Sequence, residues 1–408
     1  MFEHLHHVHL VGANGVGLSA LGKLFLHLGK HVSASDLHGG MFADDLAELG
    51  AQISIGHAAS NVPETTDLLV YSSAVHETNP ERERARERGV REMSYAQVLG
   101  ELSRTHPTIA VSGTHGKSTT TAMVGLILEA AGLNPMVIVG SRVPSWKDGN
   151  FRMGSGRDTG YIVVEACEYR ENHLNLYPEI GVITNIEEDH LDYYRDLKHI
   201  EESFEQFARQ SKQVVRNAPK VDFELQIPGE YNKENAGTAL AVARLVGVDD
   251  AVSKKALQQF SGIWRRFERL GMWNGADVVS DYGHHPSAVY QSIDAARGFF
   301  RDRRIVHVFQ PHQHSRTKEL FDDFVPALGR ADVTIVPEIY GVAGRTEDED
   351  ISSNDLVEAV KKERPDTKIY YAKDLDAAEA LVRDHIEGGD VLFIQGAGDV
   401  DDLARKLV

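Results

Sequence analysis

Two periodicities alternate along the chain. Short apolar runs of strand length are separated by longer stretches in which apolar residues return every three or four positions. The first cycle is HHVHLVG, then NGVGLSALGKLFLHLG, then HVSASD. It predicts a strand ending in glycine, an amphipathic helix closing at Gly29 and a second strand ending at Asp36, which together make a right-handed βαβ unit of a doubly wound sheet. A further strand is expected in LLVYSSAV, residues 68–75. The charged run ERERARERG that follows has helical composition and predicts a solvated surface helix.

The pattern restarts after the polar stretch SRTHP. TIAV predicts a short buried strand, a glycine loop follows, and TTAMVGLILEAAG places Ala122, Met123, Leu126, Ile127 and Ala130 on one helical face, with Gly132 suited to the helix end. YIVVEA and GVITNI are two more apolar strands, each running into acidic residues. A third series starts near FSGIWRRFERLG. DVVSDY, RIVHVFQP, DVTIVPEI, KIYYA and DVLFIQGAG are five strand candidates separated by helical stretches, implying another mostly parallel, helix-flanked sheet. The expectation is an α/β chain of three domains, at 1–104, 105–262 and 263–408, since 408 residues exceed one ordinary core.

The stretch VSGTHGKSTTTAM, residues 111–123, stands where a strand should turn into a helix. Small residues there let backbone N–H groups approach phosphate oxygens, Lys117 can reach the β and γ phosphates, and the Ser118 hydroxyl can ligate Mg²⁺. The first glycine of the usual phosphate-loop pattern is replaced by Val111. In the N-terminal GANGVG, residues 12–17, the glycines fall at i, i+3 and i+5 instead of the dinucleotide spacing i, i+2 and i+5. A diphosphate can still rest on that helix N-terminus, with Asp36 placed for a ribose.

Charge narrows the classes of partner. A formal net charge of −18 argues against a general nucleic-acid or anionic-membrane surface, so any bound anion needs a local site. One cysteine, Cys167, and no secretory leader pattern point to a reducing cytoplasm, and no apolar run approaches bilayer length. Cys167 itself is expected to be a small buried residue. Two acidic clusters, EACE at 165–168 and NIEEDH at 185–190, end buried strands; Glu165 and His190 are the candidate metal ligands beside the phosphate loop. His4, His6, His7 and His9 look like a metal tract, but His7 and His9 alternate with Val8 and Leu10 as strand residues do.

The ordered series GANGVGLSALG, SASD, YSSAV, GTHGKSTTT, NIEEDHLDYY, NKENAGTALA, RRFERLG, SDYGHHPSAV, FQPHQHSRT and QGAGD resembles the Mur ligase family, in which the shortened phosphate loop is the normal form. DYGHHP and the PHxxxRT spacing resemble the branch that joins L-alanine to UDP-N-acetylmuramate; a branch that attaches a preformed peptide during wall recycling is the alternative. The resemblance implies a Rossmann-like UDP-substrate domain, a central phosphate-loop ATPase domain and a Rossmann-like C-terminal domain that closes over the site, with ATP and Mg²⁺ as cofactors.

By the same resemblance, Gly15, Val16 and Gly17 would bind the UDP diphosphate, Asp36 the uridine, and Ser72 and Ser73 would line that cleft. Gly113, Thr114, His115, Gly116, Lys117, Ser118 and Thr119 would hold the ATP phosphates, Asn235 would meet adenine and Asp281 the ATP ribose. Ser118, Glu165 and His190 would ligate Mg²⁺. Lys117, Arg266 and His190 would act in catalysis, and Tyr282, His312 and Arg316 would surround the alanine. His284 and His285 are candidates to take the ammonium proton. The chain departs from the family pattern at Tyr231, where His is usual, and at Gln313, where the alanine-adding branch carries Arg. It also has only a short connection between Phe207 and Pro228, and Glu201, Glu202 and Glu205 where several sister enzymes use a carbamylated lysine.

Overall fold

The computed structural model describes residues 2–154, 160–191, 193–341 and 350–408; Asp192 of the NIEEDHLDYY motif lies outside them. The chain divides into two compact units. The first comprises Met1–Glu187, Leu197–Val221 and Glu234–Gln259, and the second comprises Glu188–Asp196, Asp222–Lys233 and Phe260–Val408. The second unit thus takes in two short pieces from within the stretch expected to be central.

In the first unit, β1 (His7–Val11), β2 (His31–Asp36), β3 (Gln52–Ile55), β4 (Leu68–Tyr71) and β5 (Arg91–Ser94) form a parallel sheet in the order β3-β2-β1-β4-β5. The order reverses between β1 and β4. That switch point leaves a crevice at the carboxyl ends of the two strands. Helix Val16–His27 follows β1 as expected, burying Leu18, Leu21, Leu24 and Phe25. The strand expected over 68–75 stops at Tyr71, so Ser72 and Ser73 fall in the turn after it.

The same unit holds a second sheet. β6 (Thr108–Ser112), β7 (Met136–Ile138), β8 (Phe151–Arg152), β9 (Ile162–Glu165), β10 (Ile180–Ile183) and β11 (Gln213–Arg216) run in the order β11-β10-β6-β9-β7-β8. Helix Lys117–Ala130 leaves β6 through the glycine loop. Its burial differs from the single face expected: Ala130 is exposed and Leu126 half-buried, while Thr119 to Gly125 are all buried. Packing on both sides of the helix removes the amphipathic contrast.

Two further expectations are corrected here. ERERARERG does form a helix, Pro80–Glu87, but it is solvated on one face only: Glu83, Arg86 and Glu87 are exposed, while Glu81, Arg82 and Ala85 are buried. Glu81 is 0% exposed, and its carboxylate accepts from Ser35 Oγ at 2.5 Å, Asn61 Nδ2 at 2.6 Å and the Ala58 amide at 3.1 Å, with His9 Nε2 at 3.4 Å. A buried charge persists only with such a complete set of partners. Cys167 is exposed instead of buried, because Ala166 takes the interior place after β9 and the chain then turns outward.

The second unit carries β12 (Glu268–Trp273), β13 (Ala276–Asp281), β14 (Ile305–Phe309), β15 (Val333–Pro337), β16 (Ile369–Ala372) and β17 (Val391–Gln395), in the order β12-β13-β17-β14-β15-β16. The last five are the expected strands and are parallel. β12 was not expected; it pairs antiparallel with β13 at the sheet edge, with a register shift between Arg269 and Gly271. Val278, Val306, Val308, Ile335, Leu392 and Ile394 form the core of one face. No helix among the described residues is long and apolar enough to cross a membrane.

Candidate active site

The glycine turn of residues 12–17 in the first unit is built where β1 meets its switch point. The Gly12 and Ala13 amides donate to Ser35 O at 2.8 and 2.9 Å, and the Gly15 amide to Gly12 O at 3.1 Å, so the chain reverses tightly before the helix opens at Val16. Asp36 fastens this turn: its carboxylate accepts from the Asn14 amide at 2.8 Å and the His38 amide at 3.3 Å. Ser72 lies against Gly12, its amide bonded to Val11 O at 3.0 Å. Gly15, Val16, Gly17, Asp36 and Ser72 therefore converge on one crevice, with Ser73 exposed at its edge.

The phosphate loop leaves the central strand β6. Gly116, at φ +79° and ψ −3°, is the residue before the helix, and a side-chain carbon there would stand 2.3 Å from Asn235 Oδ1. Gly113, at φ +132°, would meet Thr184 Oγ1 at 2.0 Å. Only glycine fits either place, and the backbone amides are left lining a concave turn suited to phosphate oxygens. Asn235, expected at adenine, packs on this loop and accepts from Thr120 Oγ1 at 3.3 Å.

Residues after β10 brace the loop in a way that the sequence did not suggest. The His115 amide donates to Asn185 Oδ1 at 2.8 Å, Asn185 Nδ2 donates to His115 O at 3.1 Å, and Thr184 Oγ1 donates to the same carbonyl at 2.6 Å. Lys117 Nζ donates to Gly113 O at 2.6 Å and Thr114 O at 3.0 Å and pairs with Glu168 at 2.8 Å. Burial works against its charge, but the carboxylate of Glu168, with Cys167 and Glu165 behind it, outweighs burial and holds the pKa above the ordinary lysine value. Ser118 is buried at the helix start. Glu165 Oε2 accepts from the Gly140 amide at 2.7 Å, which fixes its carboxylate at the end of β9. A glycine cradle with a fixed ammonium fits a nucleotide phosphate, and a hydroxyl with a fixed carboxylate suits Mg²⁺.

In the second unit, Arg266, Asp281, Tyr282, His312, Arg316 and His190 all gather at the carboxyl ends of the parallel strands. Asp281, expected at the ATP ribose, accepts from the Phe267 amide at 2.9 Å, the Gly283 amide at 2.8 Å, Gln395 Nε2 at 2.9 Å and Ser292 Oγ at 3.3 Å. Its carboxylate buckles three segments together. The Arg266 guanidinium stands over the Tyr282 ring, 4.8 Å from its centroid. Arg265, the preceding residue, is buried and donates to Gly398 O at 2.9 Å and to Gly396 O at 2.5 Å. Tyr231 packs against the cluster of Phe267, Val279 and Ile293, and burial, with Asp281 nearby, pushes its hydroxyl pKa up.

Arg316 is the centre of a second group. Its Nε and Nη2 donate to Asp189 Oδ1 at 3.1 and 2.9 Å, and both residues are buried, at 6% and 9% side-chain exposure. Burial alone would raise the Asp189 pKa; Arg316, with His190 and His284, reverses this and holds it well below the ordinary carboxylate value. Asp189, Gln313, Ser315, Arg316 and Glu319 line one pocket with His190. Gln313 is buried at the start of helix His314–Glu319, with φ +73° and ψ 130°, a strained conformation held by its amide bond to Tyr340 O at 3.0 Å. His284 shares a hydrogen bond through Nδ1 with Tyr282 O at 3.0 Å and lies 5.5 Å from the His312 ring. Burial, then Arg316 and His312, push its pKa well down, so it is neutral with Nε2 as the acceptor nitrogen. His285 instead caps helix Pro286–Phe299 and reaches Glu188 O at 3.0 Å.

A nucleotide loop on one sheet and paired Rossmann-like sheets on either side of it in sequence define an ATP-binding α/β enzyme. Residues 7–107 match the model for the Mur ligase family, catalytic domain; residues 111–219 match the Mur ligase middle domain, and residues 265–398 the Mur ligase, glutamate ligase domain. The chain belongs to the Mur ligase family.

Among relatives it is 35% identical to the UDP-N-acetylmuramate–L-alanine ligase of Alkaliphilus metalliredigens over 463 aligned positions, covering 100% of this chain and 98% of that protein. It is 36% identical to the corresponding enzyme of Burkholderia cenocepacia, covering 98% and 97%. The structure of UDP-N-acetylmuramate-alanine ligase from Thermotoga maritima superposes with a TM-score of 0.84 at 26% identity, over 98% of both chains. A murein peptide ligase from Psychrobacter arcticus shares the fold at a TM-score of 0.69 and 23% identity, again over 98% of both. An alignment of 463 positions on a chain of 408 residues means that the Alkaliphilus relative carries segments with no counterpart here.

Proposed function

We infer that this protein is an ATP-dependent ligase that joins L-alanine to the carboxylate of UDP-N-acetylmuramate in peptidoglycan precursor synthesis, and that it works in the cytoplasm. The observation that carries this reading is the glycine loop with its fixed Lys117 in a chain that aligns over its whole length with alanine-adding ligases. Domains at 1–104, 105–262 and 263–408 would respectively hold the UDP substrate, hold ATP and supply the amino-acid site.

The muramate carboxylate attacks the γ-phosphate of ATP, releasing ADP and forming an acyl phosphate. The alanine amine then attacks the acyl carbon, and the tetrahedral intermediate expels phosphate. Lys117 stabilises charge on the transferring phosphoryl group by exchanging Glu168 for phosphate oxygens, and Arg266 adds a second cation. Arg316, locked by Asp189, faces the alanine carboxylate, with Tyr282 and His312 around it. The alanine ammonium must lose a proton before it can attack. Bound Mg²⁺, with Ser118, Glu165 and His190 as its proposed ligands, supplies Lewis-acid stabilisation of the phosphates. A neutral amide at Gln313 leaves Arg316 as the charged partner for the amino acid in this pocket.

The test is phosphate release from ATP with UDP-N-acetylmuramate and a panel of acceptors. Release that requires L-alanine supports the reading; release only with a stem tripeptide assigns the protein to the peptide-attaching branch.

A further inference from the structure

Asn150 is a polar residue with 0% exposure, far in sequence from the substrate turn yet bonded to it. It lies in the stretch matched to the middle domain, just before β8. Its Nδ2 donates to Val16 O at 2.6 Å and to Ser19 Oγ at 2.8 Å, and the Ser19 hydroxyl donates in turn to Val16 O at 3.0 Å. Its Oδ1 accepts from Lys23 Nζ at 2.8 Å. Lys23 is itself 1% exposed and also donates to Asp148 O at 2.8 Å and Asp45 Oδ2 at 2.7 Å. Two elements of the N-terminal sheet's helical layer and the loop 148–150 are thus joined by one buried chain of hydrogen bonds.

We propose that Asn150 is a positioning residue for the UDP diphosphate, acting through the Val16 carbonyl. The inference rests on the reading of Gly15, Val16 and Gly17 as the diphosphate turn. A peptide unit is planar and trans, so the carbonyl of Val16 and the N–H of Gly17 point in opposite directions along one rigid plane. Holding the carbonyl from behind aims that N–H out of the helix N-terminus, where an anion is bound. Lys23 strengthens the hold. An ammonium on Oδ1 polarises the amide and makes Nδ2 a better donor. The residue that orders the turn is therefore supplied by the middle-domain sequence and not by the glycine motif itself.

A second observation ties this loop to the nucleotide side. Residues 139–150 are closed on themselves by the Val139 amide bond to Asn150 O and the Val143 amide bond to Gly149 O, both 3.1 Å. The loop's other end carries Gly140, whose amide is bonded to Glu165. One short loop thus contacts both the substrate turn and the carboxylate proposed for Mg²⁺.

The test is Asn150→Asp, which keeps the shape and the bond to Lys23 but replaces the donor with an oxygen facing the Val16 carbonyl. Affinities of the full-length protein for UDP-N-acetylmuramate, for UDP and for ADP are measured by titration calorimetry, alongside thermal unfolding and the steady-state constants. The expected result is roughly tenfold weaker binding of both UDP ligands, the loss of one buried hydrogen bond's worth of order, with ADP binding and the melting temperature held. KM for UDP-N-acetylmuramate rises more than kcat falls. If the variant melts lower, Lys23→Met, whose Asp45 partner retains Arg142 at 3.4 Å, gives the same selective loss at smaller size.

Unchanged UDP affinity, or equal weakening of UDP and ADP, overturns the inference while leaving the proposed function standing. Wild-type protein that binds neither UDP nor UDP-N-acetylmuramate overturns the reading of the turn and this inference with it.

Discussion

Removing the carboxylate of Asp189 isolates what the clamp on Arg316 contributes. Asp189 Oδ1 accepts three donors, Arg316 Nε and Nη2 and, at 2.7 Å, the His190 amide. In Asp189→Ala all three are lost and a guanidinium that is 6% exposed stays without its counter-charge, a change that costs about 3–5 kcal/mol at buried pairs. In Asp189→Asn the amide oxygen can occupy the same place and accept the same donors, so only the ionic part goes, about 1–2 kcal/mol. Native-state hydrogen exchange reads this locally. The amides of helix His314–Glu319 should exchange about a hundredfold or more faster in the alanine variant and roughly tenfold faster in the asparagine variant, with strands β1 to β5 unaffected. The carboxyl is depressed in the folded protein, so its stabilisation is present above the unfolded value near about 3.9 and is lost as pH falls through the folded value. Wild-type protection in this helix, taken relative to the intrinsic exchange rate at each pH, should fall below about pH 4, and the asparagine variant should lack that fall. Two variants that exchange alike, both like wild type, would refute the clamp.

Lys117→Ala should reduce phosphate release at least about a hundredfold, since a cation on the transferring group is lost, while UDP-N-acetylmuramate still binds within about twofold by calorimetry. Glu81→Gln should lower the thermal midpoint through a loss of about 2–3 kcal/mol, because one carboxylate oxygen becomes an NH2 donor, either against Asn61 Nδ2 and the Ala58 amide at Oε1 or in place of the acceptor for Ser35 and His9 at Oε2. Burial opposes the charge of Glu81, but His9, Ser35 and Asn61 depress its pKa, so its contribution is present above about pH 4.3 and lost below; melting of wild type against pH should show an acid-side slope that the variant lacks.

Much of the architecture was readable because parallel strands buried on both faces are written as continuous apolar runs, and β6, β9, β10 and β17 have that form. β12 was not readable. Its residues ERLGMW alternate weakly and sit half-buried at a sheet edge, so nothing but pairing with β13 makes them a strand. Glu81 illustrates a different limit: eight residues of ERERAR type look solvated, and only the return of His9, Ser35 and Asn61 from elsewhere shows one of them to be interior.

The glycine loop and Lys117 could be named as the phosphate-site candidate from their spacing, because the residues that would bind phosphate lie together in sequence. Glu168, Asn185 and Asp189 could not be separated from their acidic neighbours, since what distinguishes each is a partner brought by the fold: Lys117, His115 and Arg316. Asp189 carried one available signal, its place beside the candidate ligand His190, but a carboxylate there reads equally as an exposed turn.

The most direct test of the central claim is phosphate release by the purified protein with ATP, Mg²⁺ and UDP-N-acetylmuramate, with L-alanine, glycine, L-serine or a stem tripeptide added in turn. The account predicts release that requires both UDP-N-acetylmuramate and L-alanine, with the acyl product carrying one alanine. Release with the tripeptide alone, or none with any acceptor, would contradict it.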